Sequence, residues 1–203
     1  MRFLLISFCF FLVSCGSYPK KKNFQAENST SKEIENPYLS DSRIDYVYKA
    51  SIDVYDRNFS GLLIIKKIAD KEHRVAFTTE MGNKMFDFTF NENDFRVNFI
   101  LDELNKKMLI NILKKDFKVL ITENPIISNS YSHNEIDIYE AAIYNKKHYY
   151  FFENYKLTKI INAKNGKENV QFLFLKINNH LANQIEIKHS NIKLTINLKS
   201  ITQ

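Results

Sequence analysis

The sequence predicts a mainly β domain, an antiparallel sheet of about ten or eleven strands curled around one amphipathic helix. Three observations predict it. From Ile44 onward, apolar and polar residues alternate with a period of two in one segment after another. The period switches once, to helical spacing, over residues 101–120. Most connections are short and polar, as in hairpins.

In chain order, Tyr46, Tyr48, Ala50, Ile52 and Val54 alternate with Val47, Lys49, Ser51 and Asp53. Residues 59–68 form a longer apolar strand containing Gly61, and strands follow at 74–79 and 84–90. Phe86, Phe88 and Phe90 share one face of the latter. Residues 91–94 read as a turn, after which Phe95, Val97 and Phe99 alternate again. Leu101, Leu104, Met108, Leu109, Ile112 and Leu113 then fall on one side of a helix, with Asp102, Glu103, Lys106, Lys107 and Lys114 on the other. Asp102 is the expected N-cap, and an acidic start with a basic end suits the helix dipole.

Residues 125–133 read as a polar loop. Strand signals resume at 135–144, 148–155 and 157–163. Asn165-Gly166 is the strongest hairpin dipeptide, because a type I′ turn needs positive φ at both central residues. Val170, Phe172 and Phe174 follow on one face, then Ile185, Ile187 and His189, then Ile192, Leu194, Ile196 and Leu198.

Composition narrows the function classes. The net charge of +6 is spread along the chain, with no recognised nucleic-acid motif, so nucleic acid is not the expected partner. The five histidines have no metal-ligand spacing, no G-x-S-x-G elbow is present, and four glycines supply no phosphate loop. No enzyme, cofactor or metal site is therefore expected. The 17 Phe and 11 Tyr make the sheet unusually aromatic, and inner walls that side chains do not fill become apolar cavities. Composition leaves a fully packed barrel open as well.

The first residues carry an export signal. Arg2 precedes an apolar run from Phe3 to Val13, broken only by Ser7 and too short to span a bilayer. Leu12-Val13-Ser14-Cys15-Gly16 resembles a lipobox. That resemblance implies cleavage before Cys15 and lipid on Cys15, giving a signal peptide at 1–14. Cys9 departs with it, so the folded part has no thiol. Residues 15–42, with Lys20-Lys21-Lys22 and few apolar residues, read as the lipidated cysteine and a flexible tether. Residues 43–203 are then one domain. The residues after Cys15 lack an acidic run and an inner-membrane aspartate signal, which implies a periplasm-facing position at the outer membrane.

The segments Phe59-Ser60-Gly61-Leu62-Leu63-Ile64-Ile65-Lys66, His73-Arg74-Val75-Ala76-Phe77-Thr78-Thr79-Glu80-Met81-Gly82 and Met85-Phe86-Asp87-Phe88, the helix 104–120, and the closing pair Gln184-Ile185-Glu186-Ile187 and Lys193-Leu194-Thr195-Ile196-Asn197-Leu198 resemble the LolA/LolB-like superfamily. Those proteins carry lipoproteins across the periplasm and receive them at the outer membrane. The resemblance implies an unclosed antiparallel barrel whose apolar cavity takes acyl chains, with a periplasmic carrier protein as a partner. Phe86, Phe88, Phe90, Leu104, Met108 and Ile112 are the expected cavity lining. In Glu80-Met81-Gly82-Asn83, Met81 holds the loop-tip position that meets membrane or cargo in the receptor. The chain lacks the receptor's Pro-Leu-Gly turn and has no tryptophan. A non-ligand-binding scaffold of an envelope assembly is the alternative.

Overall fold

The computed structural model describes residues 16–28, 32–92 and 94–201. Within them the chain forms a helical turn α1 (Tyr18–Lys21), then β1 (Gln25–Glu27), β2 (Tyr46–Val54), β3 (Arg57–Ala69), β4 (Glu72–Thr78), β5 (Lys84–Phe90) and β6 (Phe95–Ile100). The helix α2 (Lys107–Ile121) follows, and then β7 (Ile127–His133), β8 (Ile136–Ile143), β9 (Lys146–Glu153), β10 (Lys156–Lys164), β11 (Lys167–Asn178), β12 (Leu181–His189) and β13 (Leu194–Ser200). All thirteen strands lie in one antiparallel sheet, ordered β1-β7-β8-β9-β10-β11-β12-β13-β2-β3-β4-β5-β6. The sheet does not close, because β1 and β6 are its two edges. It is the unclosed antiparallel barrel that the LolA/LolB-like resemblance implies.

Eleven strands coincide with the eleven alternating segments. The other two, β1 and β7, fall where a tether and a polar loop are expected, and they pair with each other. Their sequences, QAE and ISNSYSH, bury almost nothing. At this edge the ladder is held by backbone hydrogen bonds, so no apolar alternation marks it.

Since neighbouring strands run in opposite directions, the turns divide between two rims. The upper rim carries the connections β2–β3, β4–β5, β8–β9, β10–β11 and β12–β13, and the lower rim β3–β4, β5–β6, β7–β8, β9–β10 and β11–β12. Asn165 and Gly166 have φ of 54° and 70°, as a type I′ turn requires. Tyr144-Asn145, Asn154-Tyr155 and Asn134-Glu135 repeat the same left-handed pair without glycine.

The inner face is filled by two segments. One is α2, which connects edge strand β6 to β7 beside the other edge. The Lys114 ammonium lies over Phe95 of β6 at 5.0 Å and over Tyr144 of the β8–β9 turn at 5.4 Å, so the helix bridges the opening. Its start differs from expectation. Leu101–Asn105 forms tight turns, Lys106 is the N-cap, and no acidic residue occupies the first helical turn. Asp102 instead accepts from the Asn105 N–H at 3.2 Å through its backbone carbonyl. Burial of Leu104 in the core holds that turn, which outweighs the capping preference of an aspartate.

The second filler is residues 32–42, where the tether is expected. Tyr38 packs against Phe174 of β11, ring centroids 4.8 Å apart, and donates to the Leu157 carbonyl at 2.8 Å. The Leu39 carbonyl meets His73 of β4 at 3.2 Å. This strap therefore crosses the lower end of the curve. Buried Asn36 donates to the Leu120 and Thr122 carbonyls at 2.9 and 3.2 Å, satisfying the C-terminal end of α2. Residues 18–24 lie on the outer face instead, leading into edge strand β1. Tyr18 and Phe24 pack with Tyr149, Phe151, Ile138 and Ile161. That explains the Tyr149-Tyr150-Phe151-Phe152 run, because β9 is buried on both faces, with Tyr150 and Phe152 turned inward. The tether reading thus fails for most of 16–42: its few apolar residues are the ones buried.

Gly61 in β3 serves close approach. A Cβ there would sit 1.9 Å from the Thr78 carbonyl oxygen of β4. Gly61→Ala is expected to lower the unfolding free energy by about 2–3 kcal/mol, read as a reduced urea midpoint at unchanged slope. An unchanged midpoint would show that the strands separate there without cost.

Candidate ligand cavity

A cavity of about 490 Å³ opens at the upper rim between α2 and the inner face of β8–β12. That size is typical of ligand clefts. On the helix, Met108, Ile112, Lys115, Asp116 and Val119 form one stripe, since residues three, four, seven and eight apart share a helix face. Ile143, Val170, Phe172 and Ile192 supply the apolar part of the opposite wall, and His148, Asn162 and His189 the polar part.

The polar groups are individually explained. His148 is buried, and its Nδ1 lies 2.9 Å from the Lys146 carbonyl. A carbonyl only accepts, so Nδ1 carries the proton of the neutral ring and Nε2 is left as an acceptor. Burial keeps the ring neutral by pushing its pKa down to about 4. Asn162, paired with His148 across β9–β10, donates to the Lys147 carbonyl at 3.1 Å. Asp116 Oδ2 and His189 Nε2 are 2.8 Å apart, and both side chains are buried. Burial pushes the Asp116 pKa up, and the His189 contact opposes it. Removing either partner would leave the other polar group buried alone, which costs more than the pair contributes.

The structure divides the predicted cavity residues. Met108 and Ile112 line the cavity, and Met108 is 48% exposed at its mouth, 3.7 Å from the Tyr55 hydroxyl. Phe86 and Phe88 have no accessible surface and therefore border no space large enough for water. They stack on each other at 4.6 Å, and Phe86 meets Phe117 of α2 at 5.9 Å. Phe90 packs on Phe95 at 5.0 Å, and Leu104 is buried in the same core. One side of α2 thus fills the β5 half of the curve, and the open space lies over β8–β12. Lys115, Asp116, Lys146, His148, Asn162, Lys164 and His189 escaped the sequence reading. The available signals were an aspartate within the apolar helical stripe and His189 in step with Ile185 and Ile187.

Met81 is 93% exposed. The loop beneath it is closed by Thr79 N–H to Asn83 O at 2.9 Å, Gly82 N–H to Thr79 O at 2.9 Å and Asn83 N–H to Thr79 Oγ1 at 3.1 Å. Gly82 takes φ of 86°, a conformation glycine adopts without steric cost. The methionine therefore projects from the rim and does not fold back onto the sheet.

His148 makes stability pH-dependent. Its folded pKa lies below the unfolded value near 6.5, so between about pH 6.5 and 4 the unfolded chain holds a proton that the folded one does not. Stability is present above that window and falls as pH drops through it, by about 3 kcal/mol from this residue. His73, lowered by burial, acts in the same direction. His148→Gln is expected to flatten this part of the profile in urea titrations from pH 7 to 4. A profile identical to that of the parent would assign the acid sensitivity elsewhere.

No known family profile matches the chain, and no curated protein is similar to it. Among solved structures it is similar to a LolA superfamily protein of Nitrosomonas europaea, at 9% identity and a TM-score of 0.52, over 81% of this chain and 87% of that one. A domain described as an outer membrane lipoprotein-sorting protein of Vibrio parahaemolyticus also matches, at 9% identity and a TM-score of 0.41, over 81% and 88%. The likeness is one of fold: the chain has a LolA/LolB-like fold.

Proposed function

We propose that the chain is a non-enzymatic lipoprotein of the outer membrane, facing the periplasm, whose cavity receives acyl chains and which helps localise other lipoproteins. The observation that carries this reading is the partly apolar cavity at the upper rim of an unclosed barrel. The LolA-type fold supports it, since the superfamily the sequence resembles takes acyl chains inside such a barrel. A periplasmic carrier protein is the partner this role calls for.

Cys15 lies outside the described residues, so the anchor rests on the lipobox resemblance. The described chain begins beside it, at Gly16. The Gly16 carbonyl oxygen lies 2.8 Å from where a side chain on Gly166 would start, and Lys21 donates to the Asn165 carbonyl at 3.3 Å. Lipid on the preceding residue would therefore leave the protein at the upper rim. Residues 18–28 are packed against β7–β10 and lend no slack, so the anchor would hold that rim close to the bilayer. Met81 shares the rim, and an exposed thioether enters an acyl layer at little cost.

The chain from Gly16 to Gln203 contains every element of the fold and is the form to test. A fluorescent acyl probe is expected to bind saturably and be displaced by unlabelled lipoprotein. Met108→Glu, which brings a carboxylate to the cavity mouth, should weaken that binding about tenfold. A folded domain that takes up no probe would refute the acyl reading and leave the scaffold reading, which the packed Phe86, Phe88 and Phe117 half of the barrel favours.

Two variants of the full-length chain separate anchor from tip. Cys15→Ala is expected to move the protein from the membrane to the soluble envelope fraction. Met81→Asp should keep membrane attachment and acyl binding but slow transfer of a lipoprotein into vesicles. Equal transfer rates would remove Met81 from the mechanism.

A further inference from the structure

The cavity is not uniformly apolar, and three lysines line it against one carboxylate. Lys146 begins β9 just after the Tyr144-Asn145 turn, and Lys164 ends β10 just before Asn165-Gly166. Side chains two apart on a strand share a face. Lys146 is in step with His148 and Tyr150, and Lys164 with Asn162 and Ile160, of which Tyr150 and Ile160 belong to the inner core. Both ammonium groups therefore reach into the mouth from adjacent strands, one step outward of the His148–Asn162 pair. Lys115 joins them from α2. Like charges on neighbouring strands destabilise a sheet when nothing lies between them.

None of the three forms an ion pair among the described residues, whereas Lys147, next to Lys146 on the opposite face, binds Glu140 at 2.8 Å. Burial lowers the Lys146 pKa, the Lys115 and Lys164 charges lower it further, and the Asp116 carboxylate opposes them. The sole carboxylate among the lining residues, Asp116, is already engaged by His189. Ile143 stands opposite Lys146 across β8–β9, Phe172 lies deeper on β11 opposite Ile160, and Ile112 and Val119 face them from α2.

We infer that the cavity selects an amphiphile with an acyl tail and an anionic head, the tail lying against Ile112, Val119, Ile143 and Phe172 and the head oxyanion held by Lys115, Lys146 and Lys164. This rests on the acyl-binding reading and narrows it, from any acyl chain to one that ends in a phosphate or carboxylate. An ammonium bonded to an oxyanion gives a charge-assisted hydrogen bond, stronger than the neutral bonds a hydroxylated head could make.

The test compares chain-matched probes, palmitoyl lysophosphatidylglycerol and monopalmitoylglycerol, with inorganic phosphate as a third arm, on the chain from Gly16 to Gln203. The anionic lipid is expected to bind about tenfold more tightly than the neutral one at low salt. The double variant Lys146→Gln/Lys164→Gln should abolish that preference while the neutral lipid still binds. Lys147→Gln, which removes an equal charge from the other face, should leave the preference intact. Equal binding of both lipids, unmoved by the double variant, would overturn the head-group assignment and leave the acyl reading standing. Binding of neither lipid would overturn both. Phosphate competing as well as the whole lipid would overturn the amphiphile assignment in favour of a free oxyanion site.

Discussion

The opening between the two edges of the sheet governs the rest of this molecule. Thirteen strands curve without β1 and β6 meeting, so the inner face has no opposing wall of its own. An exposed inner face rich in Phe, Tyr, Ile and Leu would be unstable in water, and something else in the chain must cover it. The connection from β6 to β7 does so as α2, and residues 32–42 do so at the lower end. The Lys114 contacts to Phe95 and Tyr144 mark the point where the helix joins the sheet's two sides.

A helix is a poor match to a wide curved sheet, and the mismatch creates the cavity. The side of α2 carrying Phe117 seats against the aromatic stripe of β5. The stripe through Met108, Ile112, Lys115, Asp116 and Val119 then faces β8–β12 across a gap that stays open. Filling one half of the barrel leaves the other half open. The polar groups that line the cavity in that half are tolerated through their partners, His148 to a carbonyl, Asn162 to a carbonyl and Asp116 to His189, whereas the buried Tyr150 hydroxyl beneath them has no hydrogen-bond partner among the described residues.

The same economy appears on the outside of the sheet. Asp87, in the middle of β5 and fully buried, accepts from Arg74 of β4 at 2.6 and 2.9 Å, from Lys84 at 2.9 Å and from Asn98 of β6 at 3.1 Å. These contacts hold its carboxyl far below the usual carboxylate range, with the Arg74 hydrogen bonds the largest cause. They tie three strands together near the β6 edge. At the opposite edge, Tyr18 and Phe24 cover the outer face of β8–β10. Each edge region thus has its own outer support, one polar and one aromatic.

The sequence by itself determined eleven of the thirteen strands, the helix and the Asn165-Gly166 turn, because each depends on local periodicity or on a φ preference carried by the residues themselves, while the unclosed barrel was legible only through the LolA/LolB-like resemblance. The resemblance also gave Met81 a loop-tip position and Met108 and Ile112 a place in the cavity lining, and both helix residues border the cavity. Only the tertiary structure decided that Phe86, Phe88, Phe90 and Leu104 fill space while His148, Asn162, Lys146 and Lys164 border it. Alternation says which face a side chain takes, not what lies opposite. The polar strands β1 and β7, the strap through Tyr38 and Leu39, and the packing of Tyr18 and Phe24 were invisible for a related reason. Their stability comes from backbone pairing and from a few side chains meeting residues about 100 or more positions away, and neither leaves a pattern in the local sequence.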